Sequence, residues 1–439
     1  MKRLLFFVAC FLNMASGSIS GQQKWTLEAC IDYAVSHNIS IRQSECQIKE
    51  LETQRSTLKH SFLPTVSAGT SQKFAFGRSL NQDNLYKSSN IQNTAFSLNA
   101  EVPLFTGFKT TASISQNRYN LLAAEAEKEE YKNNLRLSVT TAYFQILLYH
   151  EICLIAEEQA RLTEEQIKKT EFLIESGKIP QSQLFDVKAQ LADDELAVTE
   201  ARNSLRIATL ELAQLMEWDS RTTLILDTTT YESIKSADMT DVYQIFHDAE
   251  ACMPQIQKAK YALLGYKEEI KVAQSGYFPS VALGAGINTG YFHSNNSPND
   301  IFKKQLKNNL QKNIYINLTI PLFNGFSTRN QVRSARIAYE NATLSLENEK
   351  KKLLKSIEKA YADASSAYEK YQSTSKAVIA NQEAHRYAKE KYDAGKSSVF
   401  EYNEIKMKLA DALSQQSQAK FTYLLKREIL QLYSCHLLT

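Results

Sequence analysis

Histidines and cysteines are the residues of this sequence that could hold a metal or act as nucleophiles, but their spacing supports neither role. The seven histidines show no metal-binding spacing. The cysteines of the mature chain are odd in number and form no C-x-x-C pair, so they are interpreted as small core residues rather than a disulfide framework or a zinc site. They are Cys30, Cys46, Cys153, Cys252 and Cys435. Metalloprotease, serine-hydrolase and phosphate-loop motifs are also absent, so the sequence predicts no enzyme, no metal site and no cofactor.

A seven-residue segment occurs twice, and its residue types suit a structural junction rather than catalysis. It reads V-P-L-F-T-G-F at 102–108 and I-P-L-F-N-G-F at 320–326, an offset of 218 positions. Other short matches recur at nearly the same offset, and four of the seven prolines fall into two equivalent pairs, Pro64/Pro279 and Pro103/Pro321. The mature chain is therefore predicted to contain two copies of one unit, at 25–216 and 241–434, with a connection at 217–240.

Each copy contains a long segment without glycine or proline, at 109–176 and 327–394. Both segments are rich in good helix formers, and their apolar residues recur in an alternating 4-3 series that predicts supercoiled helix packing. Cys153 and His385 fall on this series and are interpreted as packing residues. The segments end at Gly177 and Gly395, after which the period resumes in a shorter helix. Each copy is therefore expected to hold a helical hairpin that turns at this glycine.

The period changes to two ahead of each long helix. Apolar and polar residues alternate at 96–104 and 314–322, which predicts strands with one apolar and one polar face. Less regular strands are predicted at 65–76 and 280–288, and polar loops at about 79–90 and 293–311 join the strands of each copy. Each copy is thus predicted to run helix, strand, loop, strand, long helix, turn and shorter helix.

The N-terminus carries the pattern of an export signal. Two basic residues precede an apolar stretch at 4–12 and a run of small residues, so 1–20 is predicted to be a signal peptide. Cys10 faintly suggests a lipid-attachment site as an alternative, although it lies inside the apolar stretch. Removing Lys2 and Arg3 lowers the formal net charge from +3 to +1, which gives no electrostatic argument for binding nucleic acid.

The strands suit either a membrane barrel or a small soluble sheet, because both show this alternation. Export and the lack of a segment able to cover the apolar faces favour the barrel. Four strands per chain are fewer than the roughly eight of the smallest membrane barrels, so several copies must share one.

The repeated motif then becomes a strand-to-helix adaptor. Pro103 and Pro321 limit ladder hydrogen bonding near the strand ends, and Gly107 and Gly325 let the backbone turn into the helix. The motif's aromatic residues are expected to form a girdle at the membrane interface, and they are Phe105, Phe108, Phe323 and Phe326.

Over the whole mature chain, the paired P-L-F-x-G-F junctions and paired hairpin turns make this sequence resemble the outer-membrane efflux protein family, the TolC-like channels. The resemblance implies a mainly helical homotrimer with a twelve-stranded barrel in the bacterial outer membrane and a helical tunnel in the periplasm. It also implies partners, namely a periplasmic adaptor protein with an inner-membrane pump, or a secretion ATPase. No cargo is indicated, since drugs, metal ions and polypeptides all suit these residues.

The resemblance further implies an aperture at the periplasmic end of the tunnel. Glu401 and Glu404, six and nine positions after Gly395, match the family's acidic ring, and Tyr392 matches a tyrosine of its closing network. In the first copy the position six after the turn is Gln183 rather than an acid, and Asp186 lies three positions further on. Without the resemblance, the two glutamates suit an ordinary solvated helix start equally well.

A periplasmic coiled-coil scaffold or adaptor is the alternative from another class. In that hypothesis the strands form a small soluble sheet, and the protein is extracted without detergent. An exit duct requires detergent.

Overall fold

The structure is a computed structural model that describes residues 24–80, 84–219, 224–227, 241–295 and 300–434. The predicted signal peptide and most of the predicted connection lie outside these residues. The first half of the chain contains α1 Leu27–His37, α2 Ile39–His60, β1 Thr65–Ala75, β2 Arg78–Leu80, β3 Tyr86–Ser88, β4 Ile91–Phe105, α3 Lys109–Glu175 and α4 Ser182–Leu215. The second half contains α5 Val242–Cys252, α6 Pro254–Gln274, a 3-10 turn Ser275–Tyr277, β5 Ser280–Ser294, α7 Phe302–Asn308, β6 Gln311–Thr319, α8 Ser327–Asp393 and α9 Val399–Tyr433.

The two long helices are present as the sequence predicts. Helices α3 and α8 have 67 residues each, which corresponds to a length of about 100 Å. Positions of the alternating 4-3 series are buried along both helices, among them Val139, Ile146, Ile357 and Ala364. Sustained helix-to-helix packing therefore stabilises these helices, as the 3.5-residue period indicates.

The strands agree with the prediction in position but differ in length. Strand β4 begins at Ile91, five residues ahead of the predicted strand, whereas β6 ends at Thr319, before Pro321. The predicted polar loops hold additional short elements, the β2–β3 hairpin and helix α7. These elements are too short and too polar to show a period in the sequence.

The chain divides into two compact units. One comprises 44–128 and 254–351 and contains the larger sheet, and the other comprises 1–43, 129–253 and 352–439, as far as these ranges are described, and is helical.

The sheet of the first unit is fully antiparallel, with strand order β1-β4-β5-β6. Residues directly opposite one another lie on the same face, so the pairing of Leu98 with Ala68 and Ile287 fixes the apolar face. The apolar face is exposed at the edge strand β6, where Ile314, Ile316 and Leu318 are 81%, 69% and 56% exposed. Serine, threonine, asparagine and glycine predominate on the opposite face.

The two halves of the sheet have the same strand register. Thr65 of β1 lies opposite Glu101 of β4, and Ser280 of β5 lies opposite Thr319 of β6. Ser280 follows Thr65 by 215 positions and Thr319 follows Glu101 by 218, the two offsets that relate the matching sequence segments. The sequence repeat therefore corresponds to a repeated strand pairing.

The described residues of the helical unit form a core where α1, α3, α4 and α9 meet. Tyr143 and Phe144 of α3 pack there with Leu212 of α4 and Leu424 of α9. The Tyr143 hydroxyl donates a hydrogen bond of 2.8 Å to the carbonyl oxygen of Asp227, which ties the described part of the inter-repeat connection to this core. Helix α3 is long enough, and over one stretch of 18 residues apolar enough, to cross a membrane.

Candidate functional site

The two P-L-F-x-G-F motifs form strand-to-helix junctions with matching backbone conformations. Gly107 and Gly325 both have φ of +63°, a left-handed conformation that favours glycine. The phenylalanine after each glycine is left-handed as well, with φ of +65° at Phe108 and +63° at Phe326. The glycine role was predicted from the sequence, whereas the second left-handed residue was not.

Aromatic packing accompanies the strained phenylalanines. Phe105 and Phe108 pack edge to face with ring centroids 5.1 Å apart, and Phe323 and Phe326 do so at 5.4 Å. Such a pair contributes about 0.5–1.5 kcal/mol, comparable to the roughly 1–2 kcal/mol cost of a left-handed residue. The two phenylalanines of each motif therefore stabilise the turn between them.

The two junctions differ in what surrounds the glycine. A Cβ atom on Gly107 would lie 2.8 Å from the carbonyl oxygen of Ser275 and 2.9 Å from Cβ of Phe278. A Cβ atom on Gly325 would have no described atom within 4 Å. Gly107 is thus required by both backbone conformation and close packing, and within one chain Gly325 is required by conformation alone. Pro103 lies in β4, where the pairing with β5 becomes irregular between Pro103 and Phe105.

Both helical hairpins turn through the same glycine-capped helix end. Gly177 and Gly395 have φ of +71° and +69°. In the first turn, Gly177 N donates to Ile174 O at 2.8 Å and Lys178 N donates to Leu173 O at 3.0 Å. The second turn repeats the pattern, and this pair of bonds satisfies the terminal carbonyl groups of each long helix. A helix can then restart after a few residues, which the sequence predicted from the glycine and from the helical period that resumes after it.

Tyr392 lies in an aromatic cluster near the second turn, which we call the tip cluster. It comprises Val187, Ala388, Tyr392, Val399 and Tyr402. The Tyr392 and Tyr402 rings stack with centroids 5.0 Å apart, and the Lys169 ammonium lies 5.2 Å from the centroid of the Tyr392 ring. The Tyr392 hydroxyl is buried and finds no hydrogen-bond partner among the described residues.

His385 extends this cluster along α8. Its Nε2 atom lies 3.4 Å from the Tyr402 hydroxyl. Burial lowers the pKa of His385, with the charges of Lys389 and Lys406 contributing, so the uncharged imidazole is favoured. Burial also raises the pKa of the Tyr402 hydroxyl. The interpretation of His385 as a packing residue agrees with this position.

The predicted aperture carboxylates are exposed at the start of α9. Ser398 caps the helix by accepting a 3.2 Å hydrogen bond from the Glu401 backbone N–H, and the Ser397 hydroxyl donates to the Glu401 carboxylate at 3.2 Å. Glu404 forms an ion pair of 2.7 Å with Lys408 one turn later. Within one chain these glutamates have the geometry of a solvated helix start.

Asp186 is placed differently. It is exposed in the second turn of α4, next to Val187, whose side chain is fully buried in the tip cluster. The tip cluster thus brings together α4, α8 and α9, and Asp186 lies on its solvent side.

Sequence analysis missed a buried ion pair that joins three helices. Lys406 of α9 is 1% exposed and contacts Thr163 of α3, while its Nζ atom lies 3.4 Å from the Asp194 carboxylate of α4. Thr163 also contacts Asp194, and the Gln190 amide donates to that carboxylate at 2.8 Å. Burial lowers the pKa of Lys406. A single lysine next to the apolar series gives no sequence signal for such a pair.

The interpretation of the cysteines as small core residues is wrong at Cys252, which is disulfide-bonded, and at Cys46, which is exposed. Pairing cannot be deduced from scattered cysteines in a sequence. Cys30, Cys46 and Cys153 are free thiols, and burial raises the pKa of Cys30 to about 12. Among the described ranges, no cluster of three histidine, cysteine or acidic side chains is placed to hold a metal ion.

Two kinds of comparison place this architecture among known proteins. The family model for outer membrane efflux proteins matches residues 30–216 and 245–434. TolC of Vibrio cholerae serotype O1 is 23% identical over 320 residues, which span 70% of this chain and 69% of that protein. TolC of Escherichia coli K12 is 20% identical over 421 residues, which span 94% and 82% of the two chains.

The fold is shared with solved outer-membrane channels. A crystal structure of CusC superposes with a TM-score of 0.78 at 18% identity and covers 95% of both chains. The matched family also sets aside the alternative of a periplasmic scaffold, since the matched segments include all six strands and both hairpins. The chain therefore belongs to the outer membrane efflux protein family and serves as an exit duct of the outer membrane.

Proposed function

We propose that three copies of the chain form one passive exit duct, in which β6 of each copy pairs with β1 of the next. The observation that carries this proposal is the open sheet. Strands β1 and β6 are its edges, and its apolar face is exposed. Unpaired backbone groups are not tolerated in lipid, so both edges require partners. Four strands per chain are too few to close alone, and three copies supply twelve.

The repeated register defines how two copies would pair. Within the chain, Asn99 of β4 lies opposite Gly286 of β5. Adding 218 to the first position and subtracting 215 from the second places Asn317 of one copy opposite Ser71 of the next. We accordingly regard 25–216 and 241–434 as two copies of one unit. The β6–β1 pairing between chains, which we call the seam between chains, then repeats the β4–β5 pairing within the chain.

Disulfide cross-linking tests this register. We expect the variant Ser71→Cys/Asn317→Cys to form covalent dimers and trimers on mild oxidation, because directly opposed residues of antiparallel strands lie about 4.5–5.5 Å apart. The measurement is a non-reducing denaturing gel of detergent-extracted protein. The wild-type protein, which retains Cys46 and the other native thiols, sets the background.

A matched variant distinguishes cross-linking in the proposed strand register from cross-linking between cysteines that are merely near one another. Lys73 lies two residues along β1 from Ser71 on the same face, so Lys73→Cys/Asn317→Cys should cross-link much less. A ladder that ends at dimers, or equal yields for the two variants, would contradict the proposal.

The partners of the duct are a separate proposal. Relatives include Toxin and drug export protein A of Aggregatibacter actinomycetemcomitans and Protein CyaE of Bordetella pertussis. We infer that this chain receives its cargo from an inner-membrane pump through an adaptor, or from a secretion ATPase. Cross-linking intact cells before extraction and identifying the co-purified proteins distinguishes these two systems.

We also propose that Glu401 and Glu404 line the periplasmic aperture, with Tyr392 beneath them and Asp186 nearby. Three copies would bring six carboxylates around one axis, and such rings favour cations. Glu401→Gln/Glu404→Gln is expected to reduce the preference for cations, measured as the reversal potential of single channels in a salt gradient across a planar bilayer.

The chain offers a matched control for this variant. Glu347 forms an i,i+4 ion pair of 2.6 Å with Lys351, which resembles the Glu404–Lys408 pair but lies in the other compact unit. Glu347→Gln is expected to leave the reversal potential unchanged. If the double variant also leaves it unchanged, the glutamates are only a solvated helix start.

A further inference from the structure

A groove in the sheet-containing unit is lined by three arginines and three aromatic residues. It lies between the end of α6 with the following 3-10 turn and the first turns of α8, and its volume is about 900 Å³. Arg329, Arg333 and Arg336 are spaced i, i+4 and i+7, so they share one face of α8. We call this site the arginine groove.

The arginine groove has no counter-charge of its own. None of its three arginines forms an ion pair with any residue that the structure describes, and no acidic residue lines the groove. A second groove in the same unit, of about 590 Å³, is lined by both Lys109 and Glu269. Clustered guanidinium groups repel one another, so an anion bound among them gains more than it would at an isolated cation.

The residue type narrows the chemistry of that anion. Guanidinium groups present paired N–H donors that match the oxygen atoms of phosphate, whereas lysine offers only a point charge. Gln274 and Asn330 add amide donors to the same lining. The arginine groove is thus suited to a phosphate group.

The aromatic residues of the lining favour a lipid as the source of that phosphate. Tyr277, Phe278 and Phe326 line the groove and are 54%, 47% and 56% exposed. The second groove reaches Ser280 and Thr319, which belong to the polar face of the sheet. Its α8 residues, Gln331, Ser334 and Ala335, lie on the face of that helix opposite the three arginines. The arginine groove therefore opens on the side of the apolar face, which lipid chains contact.

We propose that the arginine groove binds the phosphate diester of an anionic glycerophospholipid from the periplasmic leaflet, with the acyl chains against the apolar face at Leu318 and Ile320. Both of these side chains are more than half exposed. Aromatic residues and arginines at the end of a barrel strand have the arrangement of a membrane-interface anchor. The proposal depends on the outer-membrane location and not on which pump or cargo the duct serves.

Native mass spectrometry of the detergent-purified full chain tests the proposal, with phosphatidylglycerol and phosphatidylcholine as probes. The wild-type protein is expected to bind phosphatidylglycerol more tightly than phosphatidylcholine. The variant Arg329→Gln/Arg333→Gln/Arg336→Gln should lose about tenfold or more in affinity for phosphatidylglycerol, equivalent to about 1.4 kcal/mol. A circular dichroism spectrum like that of the wild type establishes that the variant is folded.

Two control experiments distinguish binding in the arginine groove from nonspecific attraction to positive charge. Lys355→Gln/Lys359→Gln/Lys370→Gln removes the same charge from exposed positions of the same helix and should bind phosphatidylglycerol like the wild type. Equal losses in both triple variants, or no preference of the wild type between the two lipids, would overturn the proposal. Competition by inorganic phosphate at the same concentration as a short-chain phosphatidylglycerol would overturn it too, because the acyl contacts would then contribute nothing.

Discussion

Replacing Lys406 by alanine is expected to lower the local stability of the helical unit by about 3–5 kcal/mol, the usual cost of removing one partner of a buried ion pair. Lys406 is 1% exposed, and the Asp194 side chain is only 12% exposed. The substitution leaves that carboxylate with Thr163 and Gln190 but without its cation. Because the three charged and hydroxyl groups lie on α9, α4 and α3, all three helices should loosen together.

Amide hydrogen exchange measures this effect locally. Protection of the α4 and α9 amides around Asp194 and Lys406 should fall by about a hundredfold or more, while the strands stay unchanged. The variant Lys406→Met/Asp194→Asn removes both charges and should recover most of the protection, since replacing both members of a buried ion pair by uncharged residues of similar size leaves no unpaired charge buried. If both variants lose protection equally, packing of the lysine stem rather than charge pairing stabilises the site.

The lowered pKa of Lys406 gives this pair a pH signature. The folded protein holds the lysine proton less tightly than the unfolded chain does, so the free energy of unfolding should rise with pH just below the ordinary lysine pKa of about 10.4. The double variant should lack that rise.

Gly107→Ala is expected to impair folding of the chain, whereas Gly325→Ala is expected to impair assembly of the trimer. Both positions have φ of +63°, so alanine costs roughly 1–2 kcal/mol in either place. At position 107 the new methyl group also collides with the Ser275 carbonyl oxygen and with Phe278, which adds about 1–3 kcal/mol of overpacking. Gly107→Ala should therefore reduce the yield of folded chain and its melting temperature in detergent.

Within one chain, no described atom lies within 4 Å of a Cβ atom placed on Gly325. The repeated register indicates which residues of the next copy would cover it. Subtracting 215 from Ser275 and Phe278 gives His60 and Leu63 of the next copy. The local backbones match, since Leu63 N donates to His60 O at 2.9 Å and Phe278 N donates to Ser275 O at 3.0 Å. Gly325→Ala should thus leave the chain folded but shift the trimer towards monomers on size-exclusion chromatography. Normal trimers would contradict the equivalence of the two seams.

The sequence predicted the parts of the fold that depend on the spacing of apolar residues and on the positions of glycines. The long helices follow from uninterrupted 4-3 spacing, and the turns at Gly177 and Gly395 follow from glycines at equivalent positions. Strand β4 was predicted too short because Ile91 to Ala95 lack the alternation of apolar and polar residues. Local pattern therefore locates an element better than it locates the element's ends.

The site was less predictable because its contacts join residues distant in sequence. The Lys406–Asp194 pair spans 212 positions, and neither residue differs in type from its exposed neighbours. The left-handed phenylalanines were missed because that conformation is costly for any residue with a Cβ atom and is tolerated here by ring packing. The proposed roles of Glu401 and Glu404 would depend on neighbouring copies, and no pattern within one chain contains that information.

The shared register of the two halves has a consequence for the wall of the duct. Glu101 and Thr319 occupy equivalent places on the polar face, as do Lys73 and Asn288. In the proposed trimer, the β1–β4 and β5–β6 pairs would alternate around the barrel. All six pairs would share one backbone geometry, but charged residues on the polar face of one kind would be neutral in the other. In the proposed trimer, substitutions on the polar face of one repeat would therefore change every second strand pair of a geometrically six-fold wall and leave the pairs between them unchanged.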